Sequence, residues 1–138
     1  MWNFRKQAPP GTTKQRGDAA EDAALAHLQR HGLRLVQRNF RSPGRGGGEV
    51  DLIMREPDGT LVFVEVRQRA GVAQGGAAGS ITAVKQRRIV FAARHFLLRL
   101  GSEPPCRFDA VLIQGASGGA EPPRIEWLRA AFDAGTAY

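Results

Sequence analysis

The amino-acid sequence predicts an α/β fold in which one mixed sheet is flanked by helices. Apolar residues recur at helical spacing in two separate segments of the chain. The turn sequence Pro57-Asp58-Gly59 joins two apolar runs and is typical of a β-hairpin. Two further strand-like runs follow the second helical segment. With 138 residues, the chain has the length of one compact domain.

Two helices are expected. The first runs from Asp18 to about Arg30 and ends near Gly32, because glycine commonly stops a helix. The second runs from about Thr82 to Leu100 and ends before Glu103-Pro104-Pro105. Residues 1–16 show no periodicity and are expected to form a flexible basic tail, which leaves residues 17–138 as a single domain.

Five strands are expected from β-type runs bounded by turn residues. They cover residues 33–40, 49–55, 60–68, 108–114 and 124–128. Together with the two helices, they give the order α-β-β-β-α-β-β around one mixed sheet.

Several classes of protein are excluded by composition. No apolar run approaches the ~20 residues that a membrane-spanning helix needs, and the first residues do not resemble a secretory signal. The single cysteine, Cys106, excludes an internal disulfide framework and a cysteine-built zinc site, and we expect it to be a buried structural thiol. A cytoplasmic location is therefore expected, without a membrane partner.

The net charge of +7 is unevenly distributed along the chain. Residues 23–48 and 66–102 contain many basic side chains and no acid, whereas five acids lie between these stretches. This pattern favours a phosphate-binding surface around a carboxylate site, although an arginine-rich composition also results from GC-rich coding bias. The candidate nucleic-acid-binding residues are Arg38, Arg41, Arg45, Arg69, Lys85, Gln86, Arg87 and Arg88.

The hairpin places two acids opposite each other. With a three-residue loop and Gly59 in the left-handed conformation, Asp51 faces Glu65 with their Cβ atoms about 4.5–5.5 Å apart. Two like charges in this position are destabilising unless a cation compensates them. Mg²⁺ or Mn²⁺ is a suitable cation because it binds through one or two carboxylates. Asp51 and Glu65 are therefore the candidate metal ligands.

The surroundings of Glu65 strengthen this interpretation. It lies in the run Leu61–Val66, which is apolar on both faces and is typical of a central strand. A carboxylate there is costly unless it is paired or bound to a metal. Arg67 is expected on the same face as Glu65. Glu21 shares the apolar stripe of the first helix and is a third candidate acid, although the helix dipole also favours an acid near a helix N-terminus.

Several segments resemble those of a known bacterial family. They are residues 17–24, 38–39, 85–86 and 107–109, together with GEVDLI at 48–53 and VFVEVR at 62–67. Over roughly residues 14–133 the chain resembles the YraN family, which is similar to restriction-endonuclease-like PD-(D/E)xK nucleases and to Holliday-junction resolvases.

This resemblance implies a restriction-endonuclease-like α-β-β-β-α-β core and Mg²⁺-dependent hydrolysis of phosphodiester bonds. It implies that Asp51 and Glu65 hold the metal and that Glu21 is a helix-borne acid completing the site. By analogy with the junction-cutting enzymes, it also suggests a homodimer.

Arg67 departs from the pattern of these nucleases, which have a catalytic lysine at this position. Arginine keeps the positive charge and can stabilise negative charge in a transition state. It is always protonated, however, and cannot act as a base. Lys85 on the second helix is an alternative source of the cation, or else an ordinary solvated lysine. Gln86 either faces the site or is a surface amide.

Three functions remain open on these grounds. The first is a metal-dependent endonuclease acting on DNA, with branched or single-stranded DNA as candidate substrates. The second is a nucleic-acid-binding module that keeps the nuclease fold without useful catalysis, because Arg67 replaces the lysine. The third is a protein-interaction role, in which the basic charge is only compositional.

Overall fold

The computed structural model describes residues 13–44, 46–69, 81–115 and 122–137. They form a five-stranded mixed sheet flanked by two helices, which confirms the α/β class and is consistent with a restriction-endonuclease-like α-β-β-β-α-β core. In chain order the elements are α1 (Thr13–Arg30), β1 (Arg34–Arg41), β2 (Glu49–Arg55), β3 (Leu61–Arg69), α2 (Ala83–Leu100), β4 (Cys106–Gln114) and β5 (Arg124–Phe132), followed by a 3₁₀ turn (Ala134–Ala137).

The strands lie side by side in sequence order, so that β3 is the central strand and β1 and β5 are the edges. All neighbouring pairs are antiparallel except β3 and β4, which are parallel. A parallel pair needs a long connection, and α2 lies in the connection between these two strands. The central position of β3 explains why its sequence is apolar on both faces.

Each face of the sheet is covered by one helix. On one face, Ala24 and Leu28 of α1 pack in a core that includes Val62 and Val64 of β3. On the other face, Ile89 and Phe96 of α2 pack in a core that includes Phe63. Because side chains alternate along a strand, the even-numbered residues of β3 point towards α1 and the odd-numbered residues point towards α2. This arrangement confirms the expected alternation.

The β2–β3 hairpin has the register that the sequence predicts. Arg55 pairs with Leu61, and Leu52 pairs with Val64. Gly59 has a φ of 96°, the left-handed conformation expected for the last loop residue. Continuing this register places Asp51 opposite Glu65.

The start of α1 differs from expectation, whereas the end of α1 and both ends of α2 are confirmed. α1 begins at Thr13, so residues 13–16 are helical although the sequence assigned them to a tail; residues 1–12 lie outside the described part of the chain. α2 begins after Thr82, whose side chain accepts a hydrogen bond from the Lys85 backbone N–H at 3.1 Å. It ends at Leu100 because Gly101 adopts φ 76° and returns its N–H to the carbonyl of Leu97.

The last strand is four residues longer than predicted, and a buried carboxylate holds it in place. Asp109 of β4 is fully buried. Its oxygens accept hydrogen bonds from the Trp127 indole and the Ala130 backbone N–H, both at 2.9 Å. They also accept two bonds from the Arg107 guanidinium. Asp109 therefore fixes edge strand β5, a long-range role that local periodicity does not reveal.

The expectation for Cys106 is wrong, because its thiol is exposed at the start of β4. Free cysteines are commonly buried, which was the ground for the expectation, but this residue directly follows Pro104-Pro105 as the first residue of β4. Among the described residues, no helix is long and apolar enough to cross a membrane.

Gly48, just before β2, lies directly against the backbone of α2. A Cβ atom at this position would be 1.7 Å from the carbonyl oxygen of Arg88. The loop is fixed there by Ser42, whose hydroxyl accepts a hydrogen bond from the Gly48 N–H at 2.7 Å. This close approach sets the path of the chain that leads to Asp51.

We predict that Gly48→Ala lowers the free energy of unfolding by about 1–3 kcal/mol, because either the loop or α2 must move to accept the methyl group. Urea unfolding measures the change. Gly17→Ala is the matched control, since nothing lies within 4 Å of its added Cβ and alanine favours the helix. Equal stability of Gly48→Ala and the wild type would contradict the proposed packing constraint.

Candidate metal and nucleic-acid site

Asp51 lies where the ladder between β2 and β3 ends. The paired register stops at Leu52 and Val64. Beyond that point, the Asp51 Oδ2 atom accepts a hydrogen bond from the Val66 backbone N–H at 2.8 Å. The side chain therefore satisfies a donor of the central strand and holds the Asp51 carboxylate beside Glu65.

Near Asp51, the side chains of both β1 and β2 also switch from one face of the sheet to the other. Arg38 pairs with Leu52, and Phe40 pairs with Val50. Leu52 packs in the core under α1, whereas Phe40 and Val50 pack in the core under α2. Residues two apart in a regular strand share a face, so both strands change face between these two pairs.

Asn39 lies at this change of face, in the position across from Asp51. Its φ of 51° is left-handed, a conformation in which asparagine is enriched among non-glycine residues. Because the strands change face here, Asp51 lies between Glu21, which comes from α1 on one side of the sheet, and Glu65, which points to the α2 side.

Glu65 is almost completely buried and has a cationic partner from α2. Only 4% of its side chain is exposed, and its Oε2 atom lies 3.3 Å from Lys85 Nζ. Lys85 lies in the first turn of α2 and is itself half exposed. Arg67 lies two residues further along β3, and it pairs with Leu112, whose side chain faces α2. Both candidate cations are therefore on the Glu65 side of the sheet.

Glu21 approaches the site from α1. Its Oε1 atom lies 3.3 Å from the Arg38 guanidinium. Burial raises the pKa of Glu21, and the charge of Asp51 raises it further. Hydrogen bonds from Arg38 and Asn39 act in the opposite direction and lower that pKa. Glu21 is thus electrostatically coupled to Asp51 but has its own cationic partner.

Asp51 is the most strongly perturbed carboxyl group at the site. Burial raises its pKa to about 7, and the adjacent carboxyl of Glu65 contributes in the same direction. The Val66 N–H lowers the pKa but does not cancel these effects. The protein alone therefore holds these two acids together at an electrostatic cost.

A divalent cation fits this pair. Asp51 and Glu65 supply hard carboxylate oxygens from adjacent strands, and a positive ion would relieve the repulsion that raises the pKa of Asp51. Within the described ranges, no group of three or more His, Cys, Asp or Glu side chains is placed to hold a metal. An ion would thus use two protein carboxylates and complete its coordination with water or substrate oxygens, as Mg²⁺ commonly does. Glu21 would not be a direct ligand of the ion.

Two of the predicted nucleic-acid-binding arginines form ion pairs near the sheet. Arg38 contacts Glu21 at 3.3 Å and Asp22 at 2.8 Å, so it neutralises acids of α1. Arg41 is largely exposed and lies 3.6 Å from the Glu49 carboxylate.

The candidates on α2 differ among themselves. Arg87 and Arg88 are exposed, and the Arg88 guanidinium donates to the Gly47 carbonyl at 3.4 Å. Gln86 donates its side-chain amide to the Ile81 carbonyl at 3.0 Å and so joins the helix to the residue before its N-cap. Arg45 and the side chain of Arg69 lie outside the described residues.

Two features of the site were not fully foreseen. The Lys85–Glu65 contact crosses from helix to sheet, and the sequence signalled it only as one of two possibilities. The position of Asn39 opposite Asp51 was missed. Its residue type was the available signal, because asparagine accepts a left-handed conformation more readily than most residues.

Comparison with known proteins places the chain in a family. Residues 20–113 match the uncharacterised protein family UPF0102. The chain is similar to a UPF0102 protein of Polaromonas naphthalenivorans (strain CJ2), with 67% identity covering 97% of this chain and 99% of that protein. It is also similar to a UPF0102 protein of Paracidovorax citrulli (strain AAC00-1), with 63% identity covering 95% and 96% of the two chains. The chain belongs to the UPF0102 family, which is the YraN family.

Proposed function

We propose that this protein is a Mg²⁺- or Mn²⁺-dependent endonuclease that hydrolyses phosphodiester bonds in DNA. The observation that carries the proposal is the closeness of the Asp51 and Glu65 carboxyl groups on neighbouring strands, with Lys85 Nζ 3.3 Å from the Glu65 carboxylate. Branched and single-stranded DNA are the substrates to test first.

The two carboxylates would hold the ion, and the bound ion would lower the pKa of water and polarise a phosphate oxygen. The role of the chain itself is to keep both carboxylates in place. The Val66 N–H orients Asp51, and burial on the central strand restricts Glu65 to few conformations. Glu21 adds negative charge on the α1 side and thereby strengthens the preference for a cation.

Lys85 is placed to act on the substrate. Its Nζ atom reaches the Glu65 carboxylate from the first turn of α2, and half of the side chain remains exposed to an incoming phosphate. A lysine in this position would stabilise negative charge as it develops on the phosphate oxygens. It would thus supply from α2 the ammonium group that nucleases of this type carry on the strand, where this chain has Arg67.

The basic surface beside the site would bind the DNA backbone. Arg87 and Arg88 are exposed on the first two turns of α2, the end of the helix that carries Lys85. Each phosphate that these side chains neutralise releases counterions, so affinity should fall steeply with salt concentration.

The cleavage prediction is tested with four-way-junction, single-stranded and duplex DNA in Mg²⁺, Mn²⁺ or EDTA. We expect cleavage only with metal, and we expect Asp51→Asn and Glu65→Gln each to reduce the rate at least about 100-fold, because each removes a ligand of the ion. Glu126→Gln, an exposed acid on β5, is the matched control and should retain activity.

Two results would contradict this function. Salt-dependent DNA binding without cleavage by the wild type would instead support a nucleic-acid-binding module. Cleavage that persists in both Asp51→Asn and Glu65→Gln would indicate another site or a contaminating nuclease.

A further prediction separates the role of Lys85 from that of the basic surface. Lys85→Gln should lower kcat by about 100-fold or more with little change in KM, because the ammonium acts mainly in the transition state. Arg87→Gln should mainly raise KM, since it removes a proposed contact with the DNA backbone. Single-turnover and steady-state kinetics on the best substrate measure both values. If Lys85→Gln keeps the wild-type kcat and Arg67→Gln has a reduced kcat, Arg67 and not Lys85 provides the catalytic cation.

A further inference from the structure

The solvent-facing side of α2 carries three exposed apolar residues at intervals of seven. Val84, Phe91 and Leu98 expose 57%, 43% and 78% of their surfaces. Single exposed apolar residues are ordinary in soluble proteins and need no explanation. Three such residues repeated on one face of one helix, about 10.5 Å apart along its axis, form an interrupted apolar line, which we call the α2 stripe.

The α2 stripe lies opposite the face of the helix that packs on the sheet. The buried residues of α2 include Ile89, Val90, Ala93 and Phe96. At 3.6 residues per turn, positions 84, 91 and 98 fall on the other side of the helix. A seven-residue repeat drifts by only ∼20° per repeat, so the stripe runs nearly parallel to the helix axis, as the contact line of a paired helix does.

Basic residues border the α2 stripe on both sides. Helical spacing places Arg87 and Arg94 along one border and Arg88 along the other. α2 contains no Asp or Glu along its whole length. The other two cations of the helix face elsewhere, because Lys85 contacts Glu65 and Arg99 lies over the Phe40 ring at 5.4 Å.

A cavity continues the α2 stripe at its C-terminal end. It has a volume of about 450 Å³ and is lined by Arg94, Leu97, Leu98, Gly101, Ser102 and Glu103. Leu98, the most exposed residue of the stripe, forms part of its wall. A partner helix lying along the stripe would therefore find a depression that accepts an apolar side chain.

The charge pattern distinguishes between possible partners. Two copies of α2 packed together would bring acid-free basic helices into contact, which is repulsive. Segments 1–12 and 70–80 of this chain contain no acid, and segment 116–121 contains one, so none of them complements the borders. DNA would pair with the arginines but would leave the apolar line against a polyanion.

We propose that the α2 stripe is a docking surface for an acidic amphipathic helix of another protein. The partner helix has apolar residues at heptad spacing that cover Val84, Phe91 and Leu98, and it has Asp or Glu residues that pair with the arginines on the borders. This is the mode in which two helices pair side by side along heptad positions, with flanking charges setting partner choice and orientation. The inference does not require nuclease activity, but the partner helix would use Arg87 and Arg88, which the proposed DNA-binding surface also uses, so the two partners would compete.

Fluorescence anisotropy with the full-length protein and a labelled three-heptad peptide tests this surface. The peptide carries Leu at its heptad contact positions and Glu at the flanking positions, and a second peptide carries Lys in place of Glu. We expect saturable binding of the Glu peptide alone. The double change Val84→Ser and Leu98→Ser should weaken that binding at least about tenfold, because it removes apolar contact area. Amide chemical shifts should map the bound peptide to the outer face of α2.

Controls keep the result specific. Leu35→Ser removes an exposed apolar residue from β1, away from the stripe, and should leave peptide affinity unchanged. Urea unfolding should confirm that the double variant retains its stability. The proposal is overturned by the absence of saturable binding, by equal affinity of the double variant, or by shifts elsewhere on the surface. It is also overturned by a dimer that depends on the stripe, or by a loss of DNA affinity in the double variant.

Discussion

The architecture of the candidate site depends on the hydrogen bond between the Asp51 carboxylate and the Val66 backbone N–H. This bond joins β2 to the central strand just where their regular pairing stops. It keeps Asp51 beside Glu65 despite the repulsion between the two acids, and burial together with that repulsion raises the pKa of Asp51 to about 7. For this reason we propose that the two carboxylates bind a cation together. The close packing of Gly48 on α2 and the change of face at Asn39 both help to position Asp51.

The sequence predicted the hairpin well because a short turn strongly restricts its strands. A three-residue loop ending in glycine determines the register, and the register determines which side chains are opposed and which face the helices. Counting residues outward from the loop was therefore enough to predict that Asp51 and Glu65 lie opposite each other. The burial of Glu65 followed from the apolar run around it, and the stripe of α1 correctly placed Glu21 on the inner side of that helix.

Features that depend on contacts between residues far apart in the sequence were harder to predict. β5 extends to Phe132 because Asp109 on β4 binds the Ala130 N–H, a contact between residues 21 positions apart. Cys106 is exposed because of its place at the start of a strand, and its neighbours in sequence do not show this. Lys85 reaches Glu65 only because α2 begins beside the end of β3, a geometry that periodicity within the helix cannot specify. The same helix carries both proposed sites: Lys85 in its first turn contacts Glu65, and its outer side bears the α2 stripe.

The central claim is that Asp51 and Glu65 form a divalent-cation site. Titration of the full-length protein with Mn²⁺, followed by electron paramagnetic resonance, tests it without requiring knowledge of the substrate. We predict one bound ion, competed by Mg²⁺, with affinity that rises as the pH increases through about 7, because Asp51 must lose its proton to bind the metal. Binding should be lost in Asp51→Asn and Glu65→Gln and retained in Glu126→Gln. Absence of a bound ion in the wild type, or equal binding by Asp51→Asn, would contradict the account.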